Sequence, residues 1–590
     1  MKKYVKLIIA IIIFIPILLC ISVEETKKKM QDLYGENKEI TGEYDQSLSV
    51  KCKNGIFVGK LKENVISFKG IPYAKPPIDE LRWKNPIPVE DSNKVYQAYY
   101  YGKTPIQREK PISFGSYYPQ GEDCLYLNIW VNKNDKSEDK PIIAFIHGGS
   151  YKELAANEPL QDGQNLVEKF HDLIFVSIEY RLGSLGFINF ESVEGGENYK
   201  TTNNLGLLDM ICGLKWIQNN IKNFGGDPAK VTLMGESAGA AAISLLPLID
   251  KSNGLFKRII AESGSLSLSY SKSETKLLAE KLLQKSGAKN MEDLIDLSEE
   301  EMSKLMKEIN DYSNFAERDG NILPLDLYEA YKDGKGNDID MLLGTNEYEF
   351  NYWVKELGFS SLANKITMGL SGLTGLTGEL LFRIEIPILF ESYYYKDMNT
   401  EDKKRVDQFL KILKGEKIWK YSEFFTEIIF RLPMTKQAEY HSEAGGNTYV
   451  YIWKYAAEQK RLGAFHTIEM PYTLNNVGKY EYGTIENSEF ENKVQEMWVN
   501  FARTGNPSIS KINWEQFDTD KRKIMVIDEN FETIEDYKPE QRKLLEPLLK
   551  YNFSANKNTV TYNIPFVYKL SSSALVFLLI LFLIIRQIIK

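Results

Sequence analysis

Short, uniformly apolar runs recur along the chain, separated by stretches with helical spacing. Ile142–Ile146, Leu173–Ile178 and Val231–Met234 are apolar at nearly every position, and Lys257–Ala261, Met341–Leu343 and Tyr449–Trp453 follow the same habit. Runs this short, without polar alternation, predict strands buried on both faces. Between them, Leu207–Ile221 has the spacing of a helix with Trp216 on its apolar side. Strands alternating with helices predict an α/β fold around a mostly parallel sheet. Residues 360–440 are rich in Leu, Phe and Tyr and read as a helical insertion over the carboxyl edge of that sheet. From about 49 to 553 no Ser/Gly/Pro-rich break separates domains, so one domain is expected there. The charged, weakly patterned stretch 23–48 reads as a linker.

Both ends carry apolar runs of another kind. Lys2, Lys3 and Lys6 precede a run from Leu7 to Ile21, and Glu24 and Glu25 follow it. That layout predicts an export signal over 1–22, cut after Ser22, lipidated at Cys20 or retained as an anchor. The run over 571–585 is apolar all round and is followed by Arg586 and Lys590. Its length falls slightly short of a full span. The expectation is a transmembrane or membrane-associated segment with a cytoplasmic end, against the alternative of a buried C-terminal helix. The body would then be extracytoplasmic and tethered at its tail.

Composition narrows the function classes. The net charge is −8 and the body has no long basic run, which argues against a nucleic-acid partner. Four cysteines, Cys20, Cys52, Cys124 and Cys212, are too few for a disulfide framework and lack metal-site spacing. No metal or cofactor is expected. With only four histidines, each can be weighed separately.

The apolar run 231–234 ends in Gly235-Glu-Ser-Ala-Gly239 and passes straight into an alanine-rich helical stretch. A strand that turns directly into a helix strains its turning residue. Small residues two before and two after let the two elements approach, and the arrangement exposes the Ser237 hydroxyl near a helix N-terminus. A serine hydroxyl needs a base, and the base needs an orienting acid. In this strand–turn–helix setting both follow the serine in the chain. His147 and His171 lie upstream. His441 sits in a polar helical pattern and reads as a solvated helix face. His466 lies in a loop after the strand at 449, where such sites place catalytic groups. The acid is expected in the loop after Met341–Leu343, where Glu347 and Glu349 are both available and spacing alone does not separate them. His147-Gly-Gly-Ser-Tyr151 follows another buried strand, and its amides suit a developing oxyanion.

Taken together these residues resemble the type-B carboxylesterase (cholinesterase-like) family of the α/β-hydrolases. The resemblance rests on Phe224–Gly239, on Glu122–Trp130, and on the shorter stretches Phe68–Ala74, Tyr180–Gly183 and Asn204–Asp209. It implies an α/β-hydrolase fold over roughly 54–510, with a large, mixed but mostly parallel central sheet flanked by helices. It also implies a serine esterase that cleaves a small-molecule carboxylic ester through an acyl-enzyme. Its Gly-x-Asn-x-x-Glu pattern lands on Gly344, Asn346 and Glu349, which selects Glu349 as the orienting acid. Its histidine lands on His466, with Glu469 three residues on. Its oxyanion amides land on Gly149, Ser150 and Ala238. Arg82 with Glu122, and Arg181 with Asp209, match family ion pairs and are read as structural.

The chain departs from the pattern in places. Ser150 and Phe350 stand where the family has glycines, and Pro105 stands where a cysteine would pair with Cys124. Cys124 is therefore expected to be a free buried thiol or an unusual partner of Cys52. The loop 106–123 has no tryptophan, and only Phe114, Tyr117 and Tyr118 could face a quaternary ammonium there, which argues against a cholinesterase. Two alternatives remain. One is a catalytically silent surface-binding protein of the same fold. The other is a lipase, with the Gly-Leu-Ser-Gly-Leu-Thr-Gly-Leu-Thr-Gly run acting as a lid.

Overall fold

The computed structural model describes residues 35–551, except 109–117, 310–313, 354–382, 384–385, 388, 458–460, 480–482 and 484–485. Its organising element is an eleven-stranded sheet. In chain order the strands are β1 (Lys60–Lys62), β2 (Val65–Pro72), β3 (Tyr126–Asn132), β4 (Lys140–Ile146), β5 (Ile174–Ile178) and β6 (Gly226–Glu236). They continue as β7 (Arg258–Glu262), β8 (Asp340–Asn346), β9 (Thr448–Trp453), β10 (Lys523–Ile527) and β11 (Phe531–Glu535). Across the sheet they lie in the order β11-β10-β9-β8-β7-β6-β4-β5-β3-β2-β1. The run from β10 to β5 is parallel, and antiparallel strands finish both sides.

Both faces of the parallel region are covered, which explains why its strands read as continuous apolar runs. Along β4, Ile142, Ala144 and Ile146 enter one core, while Ile143 and Phe145 enter the other. Along β9, Val450 and Ile452 face the first core, and Tyr449, Tyr451 and Trp453 the second. The first face is covered by helices α1 (Leu205–Asn220), α2 (Ala238–Leu245) and α3 (Leu432–Glu443). Trp216 is buried there on α1, as its spacing predicts. Helix α4 (Ser488–Thr504) covers the second face with Phe490, Val494, Trp498 and Phe501.

All six strands expected from apolar runs are present; four extend beyond their runs, while Ile174–Ile178 is one residue shorter than its run and Arg258–Glu262 is shifted by one residue. The antiparallel strands that make the sheet mixed, as expected of it, were not individually assigned from the sequence. Within the expected linker, Asn37 donates to the carbonyls of Lys69 and Tyr100 at 2.9 and 2.8 Å, and Ile40 N–H donates to Val95 at 2.8 Å. Residues 37–40 are thus docked against the body. Of the expected helical insertion, the segment 389–443 is described and is helical almost throughout. The glycine-rich run near 369–378, Phe114 and Tyr117 lie outside the described residues, as do the apolar runs at 7–21 and 571–585. Among the described residues no helix is long and apolar enough to cross a membrane.

Arg82 holds Glu122 through Nε and Nη2, both at 2.6 Å, and Arg181 holds Asp209 at 2.8 and 2.7 Å. Both pairs are buried and bidentate, the structural role expected of them. Cys52, Cys124 and Cys212 are free, buried thiols, so Cys124 does not pair with Cys52.

Candidate active site

The site begins where β6 meets α2. Ser237 occupies the junction with φ 57° and ψ −123°. This left-handed region costs a non-glycine residue of order 1–3 kcal/mol, held in place by the surrounding structure. The flanking glycines are explained by close approach. A Cβ on Gly239 would lie 2.1 Å from the Ile146 carbonyl oxygen at the end of β4. One on Gly235 would lie 2.7 Å from the backbone of Gly239. Strand, turn and helix therefore meet backbone to backbone.

Two loops at the carboxyl ends of β8 and β9 bring the partners. His466 Nε2 lies 2.8 Å from Ser237 Oγ, and its Nδ1 lies 2.8 Å from Glu349 Oε2. The other Glu349 oxygen accepts the Asn346 N–H at 2.7 Å. The loops interlock through their backbones: Tyr348 N–H donates to Ala464 at 2.9 Å and His466 N–H to Glu349 at 3.2 Å. Asn346 adds a side-chain bond to the Phe465 carbonyl at 2.8 Å. Glu347, the alternative acid, points elsewhere, accepting from Tyr537 at 3.1 Å and pairing with Lys454 at 3.3 Å. Aromatic rings exclude water around the imidazole. Trp353 lies parallel to it at 5.6 Å, with Phe430 at 5.0 Å and Tyr352 edge-on at 5.8 Å.

The glycine turn after β4 sits beside the serine. Gly149 and Ser150 have φ of 90° and 55°, so Ser150 adopts a conformation that its missing glycine would take without cost. The turn is closed by the Lys152 and Glu153 amides donating to the Gly149 carbonyl at 3.0 and 3.1 Å. The amides of Gly149, Ser150 and Ala238 carry no hydrogen bond among the described residues. Buried His147 anchors this turn through Glu179 at 2.9 Å and by stacking on Tyr180 at 4.5 Å.

Beneath Ser237, His466 and Glu349 lies a group of buried glutamates. Glu469 accepts from Asn346 at 2.5 Å and from Ser263 at 3.1 Å. Burial, reinforced by the nearby Glu349 charge, pushes its carboxyl up to about 7. Glu236 has an oxygen 3.2 Å from His466 Nε2, off the line of a hydrogen bond because that nitrogen faces Ser237. Burial first, then Glu469, Glu349 and Glu262, push Glu236 well above the usual carboxylate range. Glu262 is raised for the same reasons, although Trp498 donates to it at 2.8 Å.

Sequence reasoning passed over Glu236 and Ser263, which lie inside or next to recognisable motifs. It also passed over Arg431. This buried guanidinium pairs with Glu427 and donates to the carbonyls of Asn346 and Glu347 at 3.0 and 2.8 Å, bracing the loop that carries Glu349. The available signal was a Glu and an Arg four residues apart inside an apolar helical stretch, a spacing that suits an ion pair. The reading of His441 as a solvated helix face is corrected. It is fully buried, with Nδ1 2.7 Å from Thr448 Oγ1 and Nε2 3.1 Å from the Gly336 carbonyl oxygen. Helix α3 looks polar in sequence, but α3 is wedged between the sheet and the C-terminal helices. Tyr118 is likewise buried, its hydroxyl donating to Asn157 at 3.3 Å. Among the described residues no group of His, Cys, Asp and Glu is arranged to hold a metal.

Strand–Ser–helix junction, parallel sheet and loop-borne His and Glu together define an α/β-hydrolase. Comparison with known proteins gives the family. The carboxylesterase family model matches residues 46–545, and the chain belongs to that family. It is a serine hydrolase of carboxylic esters. The para-nitrobenzyl esterase of Bacillus subtilis (strain 168) is 29% identical over 521 residues, spanning 84% of this chain and 98% of that protein. Acetylcholinesterase of Bungarus fasciatus is 28% identical over 510 residues, 79% of each chain. Among solved structures, a carboxylesterase of Geobacillus stearothermophilus superposes with a TM-score of 0.71 at 27% identity, covering 84% of this chain and 99% of that one.

Proposed function

We propose that Ser237 is the nucleophile, His466 the general base and acid, and Glu349 the orienting carboxylate of this esterase. The amides of Gly149, Ser150 and Ala238 form its oxyanion hole. The observation that carries the reading is the continuous hydrogen-bonded line from Ser237 Oγ through His466 to Glu349, 2.8 Å at each step.

In the reaction, His466 Nε2 takes the Ser237 proton as Oγ attacks the ester carbonyl carbon. The carbonyl π electrons move onto oxygen, where the three amides stabilise the charge. The carbonyl re-forms and the carbon–alkoxy bond breaks, with His466 giving its proton to the departing alcohol. Water then enters, loses a proton to His466 and attacks the acyl carbon. Collapse of that second intermediate releases the acid and returns the proton to Ser237. Glu349 holds Nδ1–H throughout and stabilises the imidazolium. Ser237→Ala should lower turnover of a p-nitrophenyl ester by about a millionfold. It should also abolish labelling by a fluorophosphonate. Wild-type turnover in that variant would refute the assignment.

The apolar runs at 7–21 and 571–585 support a finer reading, in which the body is exported and tethered by its C-terminal segment. Resistance to carbonate extraction, lost when residues 571–590 are removed, is the expected result. Release of the intact chain by carbonate would refute it.

A further inference from the structure

Away from the triad, a cavity of about 600 Å³ lies between the helix Leu327–Lys332, helix α3 and the C-terminal helices Pro539–Leu545 and Glu546–Tyr551. None of Ser237, Glu349 and His466 lines it. Its size is within the range of small-molecule sites. Leu266, Leu325, Leu327 and Leu549 supply apolar wall, and Leu325 is left 68% exposed.

Four cations and three carboxylates line the cavity, and most already have partners; Glu274 and Asp326 act on Arg318 only at longer range, without a hydrogen bond or ion pair to it. Its three carboxylates are engaged. Asp326 caps a helix, accepting the Tyr328 and Glu329 amides at 3.0 Å each. Glu329 is held by Lys332 at 3.1 Å, and Glu546 by Lys436 at 2.8 Å and Arg542 at 3.2 Å. Two of its four cations are engaged as well: Lys436 on Glu439 and Glu546, and Lys550 on Asp402 at 2.7 Å. The other two, Arg318 and Lys543, have no hydrogen bond or ion pair among the described residues. Arg318 is half-buried at the end of the strand Ala316–Arg318, and its Nε is buried with no acceptor. A desolvated guanidinium with unused N–H groups is costly unless an acceptor arrives. Apolar walls extending beyond the two cations make the complementary molecule amphiphilic, larger than an inorganic anion.

We propose that this cavity binds a fatty carboxylate, its headgroup received by Arg318 and Lys543 and its chain laid along Leu266, Leu325, Leu327 and Leu549. The guanidinium fork suits a carboxylate's two oxygens. The esterase reaction also releases carboxylates, so the test must silence the catalytic site. With the full chain pre-treated with a fluorophosphonate, decanoate is titrated by calorimetry. One saturable site is expected, weakened tenfold or more by Arg318→Gln and severalfold by Lys543→Gln, with decanol binding far more weakly. Turnover of a short neutral ester without decanoate should be unchanged in both variants. Absence of saturable binding, equal affinity in wild type and both variants, or decanol binding as tightly as decanoate would each overturn the proposal. Should Arg318→Gln fail to fold, the exposed Lys543 position decides the matter alone.

Discussion

Gly239, on the first turn of helix α2, packs directly against the carbonyl oxygen of Ile146 at the end of β4; an added Cβ would lie 2.1 Å from that oxygen, which leaves no room for any side chain. This contact locks the helix behind Ser237 to the strand that leads into the Gly148–Ser150 turn. It therefore fixes Ser237, the proposed nucleophile, relative to the proposed oxyanion donors.

Gly239→Ala should consequently be an activity lesion as much as a stability lesion. The Cβ meets backbone, which cannot rotate away, so α2 must shift relative to β4. Misplacement of a reacting group by about 1 Å costs on the order of a hundredfold in rate. Steady-state kinetics on a p-nitrophenyl ester should show a kcat loss of that order, with a lowered melting temperature. A change in KM alone would mean that the contact does not position Ser237.

Arg431 and Glu427 offer a separable test of how the Glu349 loop is held. Arg431→Met leaves buried Glu427 with only the more distant Lys538 ammonium at 3.9 Å, and breaking a buried pair costs up to about 3–5 kcal/mol. It also strips the Asn346 and Glu347 carbonyls of their donor. The double variant Glu427→Met with Arg431→Met removes the orphaned charge, so most of the melting temperature should return. The carbonyls remain unbraced, so kcat should stay depressed. Full recovery of kcat in the double variant would assign Arg431 a purely electrostatic role in stability.

Much of this arrangement was legible in the sequence because local pattern and chemistry coincide there. The buried strands declare themselves by unbroken apolar runs, and Gly235 and Gly239 are required by close approach at one turn. The antiparallel edge strands were not legible: β1 is a three-residue exposed strand, Lys-Leu-Lys, without any pattern to read. Glu347 and Glu349 are two residues apart on a loop, and spacing alone does not determine which of them meets a histidine 117 residues further along; the family pattern points to Glu349, the one that lies against His466. His441 illustrates the converse. Its neighbours Lys436, Glu439 and Glu443 gave α3 a polar appearance, yet Lys436 and Glu439 are consumed in ion pairs with the C-terminal region. Tertiary pairing hid a buried face.

That burial makes His441 a source of pH-dependent stability. Desolvation lowers its imidazole to about 4 from an ordinary 6.5, opposed by the nearby Gly336 and Ile339 carbonyls and the Asp338 charge. The folded pKa is depressed, so the unfolded chain binds the extra proton between those values. The stabilisation is fully present above pH 6.5 and is lost progressively as pH falls towards 4. The displacement corresponds to roughly 3 kcal/mol. In chemical denaturation, wild type should lose about that much more stability than His441→Gln between pH 7 and pH 4. Parallel pH profiles for the two proteins would show that His441 is not the group responsible.

The thiols make the last test, of core packing. Cys52 and Cys212 are pushed up to about 12 by burial, and Cys124 well above its ordinary value. Only the thiolate reacts with a disulfide reagent, so a group this far from ionising and this enclosed is silent in the folded protein. Denaturation should expose three further equivalents to Ellman's reagent beyond whatever Cys20 contributes in the native state. Reductant should leave the melting temperature unchanged, because no bond between these three cysteines constrains the chain. Fewer than three new equivalents, together with a melting temperature that falls on reduction, would require a disulfide among them.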